Sequence, residues 1–150
     1  MKISVDTEIS SSKDKVWAAI SNIENAPDMI SGIIALEVLH KPDSGLVGLK
    51  WKETRKMFGK DAEETMWITD SKEGEYYATR AENHGAIYKS QLAVEAVGDK
   101  TKLTMTFEGD SESFLVKIMS VVMGFFMKKS MIKMLQADLA DIKRFVEAQA

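Results

Sequence analysis

From Ile33 to about Asp110 the chain alternates apolar and polar residues, and glycines break the alternation at Gly45, Gly59, Gly74, Gly85, Gly98 and Gly109. The breaks lie 11 to 15 residues apart, each near Asp, Lys, Asn, His or Glu. Long antiparallel strands joined by tight turns give this pattern. The stretches between the glycines do not repeat one another, so the segment reads as a meander and not a solenoid. A meander imposes a strict rule on its side chains. They alternate with period two, so a one-residue slip at any turn would send every following residue to the opposite face.

That rule can be carried through four turns. With Gly59 and Lys60 central in a two-residue turn, Lys56 faces Glu63 on the outer side and Arg55 faces Glu64 on the inner side. Both pairings are charge-complementary, as cross-strand neighbours prefer. A two- or four-residue turn at "SKEG" then turns Tyr77, Thr79, Ala81 and Asn83 inward, whereas an odd loop would bring in Tyr76 and Arg80 instead. A two-residue turn at His84 and Gly85 places Tyr88, Ser90, Leu92 and Val94 inside. One at Gly98 and Asp99 does the same for Leu103, Met105 and Phe107. The inner face so predicted carries Trp51, Met57, Met66 and Ile68, but also Glu53, Arg55 and Glu64. His40 joins it if the connection that follows keeps the alternation.

The flanks differ in character. "KISVDTEI" alternates like a half-buried strand, and Ser11 with Asp14 three residues on marks a helix start. Pro27 stops that helix and suits the first turn of a second short one. After Gly109 the period changes to that of a helix, with Ile132, Leu135, Leu139, Ile142 and Val146 on one stripe. Upstream, Met119, Met123, Met127 and Met131 recur every four residues. Such a stripe is either plain core or an adaptable wall for an apolar ligand. Phe114 to Met127 reads as core plus a lid, with a dimer surface or a membrane-touching patch as the other readings.

Composition narrows the function. The chain has 150 residues, enough for one domain with a sizeable core. Its net charge of -3 argues against nucleic acid as a partner, because phosphate contacts need clustered Lys and Arg. No cysteine is present, which excludes disulfides and thiolate chemistry and suits a reducing cytoplasm. The only histidines, His40 and His84, have no carboxylate at metal-ligand spacing, so neither a metal nor a cofactor is expected. The first ten residues are too polar and alternating for a signal peptide. The longest apolar run is shorter than the ~20 residues a spanning helix needs, so no stable membrane insertion is expected.

Three segments carry a family resemblance: "SSSKDKVWAAISNIENAPDMI", "VGLKWKETRKMFGKDAEETM" and "LQADLADIKRFVE". With them the whole chain resembles the helix-grip fold of the START-related, polyketide cyclase/dehydrase superfamily. The resemblance implies an α+β domain over residues 1–150. A curved antiparallel sheet of about six or seven strands would wrap around a long C-terminal helix, with two short helices after the first strand. A cavity between sheet and helix is part of that expectation. The superfamily includes lipid and sterol carriers, hormone receptors and aromatase/cyclases, and has no invariant catalytic motif, so fold alone does not choose among them.

Two functions follow as expectations. The first is binding or carriage of a small, mostly hydrophobic molecule, lipid-, polyketide- or aromatic-like. Its apolar body would lie against Trp51, Met66, Tyr77, Met105, Phe107 and the methionines Met119, Met123 and Met127. Its polar end would meet Glu53, Arg55, Glu64, Thr79, Asn83, Tyr88 and Ser90, with Arg55 orienting it and Glu64 holding the guanidinium. The same ion pair also reads as purely structural. The second function is a cyclase/dehydratase-type enzyme in which Glu53 or Glu64 takes a proton alpha to a carbonyl and Arg55 or Tyr88 stabilises the enolate. Pairing with Arg55 would hold Glu64 ionised and make it a poor base. A homodimer stays open.

Overall fold

The computed structural model describes residues 2–57, 59–83, 85–111 and 114–149, and for residues 57, 110–111 and 114–127 the backbone alone. The elements follow in the order β1 (Lys2–Ile9), α1 (Lys13–Ser21), a short 3-10 turn (Ile23–Asn25), α2 (Ala26–Met29), β2 (Ile33–His40), β3 (Lys50–Met57), β4 (Lys60–Lys72), β5 (Tyr76–Asn83), β6 (Ala86–Val97), β7 (Lys100–Ser111) and α3 (Phe114–Glu147). The seven strands form one antiparallel sheet ordered β1-β7-β6-β5-β4-β3-β2. The meander from β2 to β7 is thus laid out in sequence, and β1 closes the far side by pairing with β7.

Local chemistry accounts for the ends of the elements. Ser12, not Ser11, caps α1: its hydroxyl accepts the Lys15 N–H at 3.3 Å. Capping needs an extended residue directly before the helix, and Ser12 holds that conformation. Pro27 lies in the first turn of α2, where a missing N–H costs nothing. The β5–β6 and β6–β7 connections are two-residue turns, Asn83 pairing with Ala86 and Val97 with Lys100.

Two connections depart from the expected register. At β3–β4 the strands pair Met57 with Lys60, so Gly59 is the second central residue of the turn, with φ +78°. The ladder slides by two residues: Arg55 faces Ala62, Thr54 faces Glu63, and Glu53 faces Glu64. A slide of two preserves the faces while replacing the expected Arg55–Glu64 partnership. Phe58 and His84 lie outside the described residues. At β4–β5 the loop is odd, Lys72 pairing with Tyr76 across three residues. An odd loop should invert the following strand, but a bulge between Ile68 and Asp70 inserts one extra residue and restores the parity. Thr79 therefore faces Ile68, and Tyr77, Thr79 and Ala81 are buried. A second bulge, between Val38 and His40, works the other way: His40 pairs with Lys50 and is exposed, not inward.

The inner face of the sheet curves over α3, which lies along β1 and β7 and touches α1. Leu139, Ile142 and Val146 of α3 are fully buried together with Ile9, Val16, Ile68 and Leu103. Packing is thus dense at the C-terminal end of α3. Toward its middle, helix and sheet separate.

Candidate functional site

The separation leaves a cavity of about 370 Å³ between the sheet and the 131–142 stretch of α3. Its wall is mostly apolar, from Trp51, Met66, Leu92, Met105 and Phe107 on the strands to Met131, Met134, Leu135 and Ile142 on the helix. The inward parity derived from the alternation explains the strand contribution. Trp51, Glu53, Arg55, Glu64, Met66, Tyr77, Thr79, Asn83, Tyr88, Ser90, Met105 and Phe107 all reach the cavity. Met119, Met123 and Met127 lie outside the described side chains, as does the Phe114 to Met127 segment read as core plus lid.

Polar groups gather on part of this wall. Arg55 presents Nη1 and Nη2 to the two carboxylate oxygens of Asp138, at 3.1 Å and 3.0 Å. Its Nε makes a longer contact of 3.5 Å with Glu53. Glu64, expected to hold the guanidinium, has no ion pair or hydrogen bond among the described residues. The strand register is the reason, since Glu64 stands across from Glu53 and two positions away from the arginine's own partner. Asp138 is 4 % exposed and is the residue that sequence reasoning missed. A signal was there: Asp138 falls three residues after Leu135 and four before Ile142, inside the apolar stripe of α3. An acid at such a position requires a cation across the interface. The stretch of α2 and β2 bearing Met29, Ile30, Ile33 and Leu36 also lines the cavity without having been anticipated.

Burial and charge set the protonation of these groups. Burial opposes the charge of Arg55, but Asp138 first and Glu53 second more than compensate and hold it protonated. Burial pushes the Asp138 carboxyl upward against the counter-pull of Arg55. Glu64 rises above the usual carboxylate range, through burial and then the facing Glu53, with only partial relief from Arg55. The expected depressed, permanently ionised Glu64 is thus corrected to a carboxyl with raised affinity for its proton. Tyr88 also rises, through burial and the proximity of Glu64, and its ring stacks on Phe107 with centroids 5.8 Å apart. Burial keeps the Tyr77 phenol protonated. Thr79 and Ser90 hydrogen-bond to each other across β5 and β6. The buried indole N–H of Trp51 has no hydrogen-bond partner among the described residues.

Among the described residues no three His, Cys, Asp or Glu side chains gather as a metal site. No helix among them is long and apolar enough to cross a membrane.

A curved seven-stranded sheet gripping a C-terminal helix, with a cavity between, defines the helix-grip class. The chain belongs to the polyketide cyclase/dehydrase and lipid transport family, whose model matches residues 1–147. No curated protein sequence matches it significantly. Solved structures share the fold at low identity. A START superfamily protein from Mycobacterium smegmatis is 15% identical with a TM-score of 0.83, covering 99% of either chain. The Zhui aromatase/cyclase from Streptomyces sp. R1128 is 11% identical with a TM-score of 0.82, over 98% of this chain and 93% of that one. The major latex-like protein 151 of Panax ginseng is 15% identical with a TM-score of 0.76, over 97% and 96%.

Proposed function

We propose that residues 1–150 form one domain that binds and carries a small, mostly hydrophobic molecule in the cavity between sheet and α3. The observation that carries this reading is a hollow of about 370 Å³ with an apolar wall and its charged groups gathered around Arg55. A core built only for stability would close such a space, because interiors pack to crystal-like density. Burying roughly 200 Å² of apolar ligand surface at about 25 cal/mol per Å² contributes about 5 kcal/mol before association costs. Micromolar binding therefore also needs the polar groups, in which Arg55 acts as a fixed element of the wall. Family membership supports a hydrophobic ligand, and the lack of cysteine suits the cytoplasm as the place of work. Native mass spectrometry of protein purified from its own host tests the reading: a retained small molecule is expected. An empty protein that also fails to bind any hydrophobic probe would overturn it.

A second reading is favoured by one observation, Glu64, without an ion pair or hydrogen bond among the described residues, standing beside Tyr88 with its raised proton affinity. An aromatase/cyclase is among the solved structures of this fold. In an enzyme of this kind Glu64, not the arginine-bound Glu53, would move the proton alpha to a carbonyl, and Tyr88 would donate to the enolate oxygen. Turnover of a β-polyketone that disappears in Glu64→Gln while binding persists would support it. Undiminished turnover in that variant would reject it.

A further inference from the structure

Among the described residues, the charged side chains turned to the cavity are one arginine and three acids, Glu53, Glu64 and Asp138, with no lysine or histidine beside them; Glu63 touches its edge from the exposed outer face. The one cation among these described residues is already engaged. Arg55 donates an Nη1 N–H to one oxygen of Asp138, holds Nη2 in ion-pair contact with the other, and donates its Nε N–H to Glu53 over a longer distance. A ligand carboxylate approaching that guanidinium would displace or crowd a carboxylate already bound there, and would meet Glu64 on the neighbouring strand. The other side-chain donors of the wall, on Trp51, Tyr77, Thr79, Asn83, Tyr88 and Ser90, carry no charge to offset this excess. The unused charged capacity is that of an acceptor: both oxygens of Glu64 lack a hydrogen-bond partner among the described residues, whereas the unpartnered donor there, the Trp51 N–H, is neutral. Charge-assisted bonds to such a carboxylate are the strong ones available to a ligand.

We infer that the cavity selects an amphiphile whose polar end donates hydrogen bonds, a primary ammonium first and a hydroxyl second, and disfavours a carboxylate on the same hydrocarbon. This inference rests on the cavity-binding reading and reverses the expectation that Arg55 would anchor a ligand anion. Because the protein's net charge is -3, bulk attraction of any cation must be separated from recognition in the cavity. Salt does so, since it screens exposed charges far more than enclosed ones.

The experiment is displacement of the neutral fluorophore N-phenyl-1-naphthylamine by decylamine, decanol and decanoate at about pH 8, where an amine is cationic and a carboxylate anionic. Decylamine should bind at least about tenfold more tightly than decanoate, with decanol between, and the order should persist in about 0.5 M salt. Glu64→Gln, which breaks no ion pair among the described residues, should narrow the gap between amine and carboxylate by about threefold or more. Decanoate binding as tightly as decanol or decylamine overturns the inference while leaving the cavity reading intact. So does a preference that vanishes in salt, or one unchanged in both Glu64→Gln and Glu53→Gln. Failure of the fluorophore and all three ligands to bind overturns the cavity reading itself.

Discussion

Arg55 on β3 and Asp138 on α3, distant in the chain, meet fork to fork across the cavity wall, with paired contacts of 3.1 Å and 3.0 Å. Their side chains are 14% and 6% exposed, so neither charge has much water to fall back on. The pair clamps the helix to the sheet where packing is otherwise loosened by the cavity. Removing one member strands the other. Asp138→Asn is therefore expected to cost about 3–5 kcal/mol, whereas replacing both, as Arg55→Met with Asp138→Leu, should recover at least about 2 kcal/mol of the summed single losses. Urea unfolding of the wild type, both single variants and the double variant gives the coupling. Strictly additive losses would mean that the two side chains do not depend on each other.

That contact also marks where the sequence stops being legible. The strands could be read because half-buried alternation repeats over many residues, and a slide of two at Gly59 leaves every face unchanged. The same invariance hides the register, so Glu64 could be turned inward correctly yet given the wrong partner. At "SKEG" the odd loop and the bulge after Ile68 are each invisible in the alternation, and their effects cancel. The bulge after Val38 has nothing to cancel it, and His40 ends outside. Long-range pairing between sheet and helix follows from no local period at all. Asp138 could be found only by asking why an acid interrupts the apolar stripe between Leu135 and Ile142.

Glu64 should make the protein less stable as pH rises. Its folded-state proton affinity is raised, by burial and then by Glu53, so its contribution is complete below the ordinary glutamate range and is lost as pH climbs through the raised value. Glu64→Gln cannot ionise. The melting temperature of the wild type minus that of Glu64→Gln should therefore fall between about pH 4.5 and pH 8. Thermal unfolding of both proteins over that range decides the matter, and a constant difference would show that Glu64 titrates as it does in the unfolded chain.

Asp141, one turn further along α3, should show the opposite sign. Ser31 donates both its backbone N–H at 3.0 Å and its hydroxyl at 2.7 Å to one carboxylate oxygen, and Arg144 reaches the other at 3.0 Å. Burial pushes the acid upward, but the Ser31 bonds and then Arg144 outweigh it and leave Asp141 below its ordinary value. Stability from this group is present above the usual aspartate range and disappears as pH falls through the lowered value. Asp141→Asn should cost about 1 kcal/mol near neutrality, with the deficit shrinking below about pH 4. Chemical unfolding at the two pH values measures it; a deficit that grows in acid would contradict the assignment.

Gly32 lies against the clamp. A Cβ at this position would stand 3.1 Å from Nη1 of Arg55 and 3.7 Å from an Asp138 oxygen. The backbone there is not left-handed, so alanine is conformationally acceptable and would by itself stiffen the unfolded chain in the folded state's favour. The cost arises from the neighbour, because a guanidinium fixed at both Nη atoms cannot yield the missing few tenths of an ångström without loosening its bonds. Gly32→Ala is expected to destabilise the wild type by roughly 1 kcal/mol. In the Arg55→Met background, where a flexible thioether replaces the fork, the same substitution should be neutral or stabilising by about 0.5 kcal/mol. Unfolding midpoints of Gly32→Ala in the two backgrounds carry the test. Equal losses in both would place the strain in the backbone and not in the contact with Arg55.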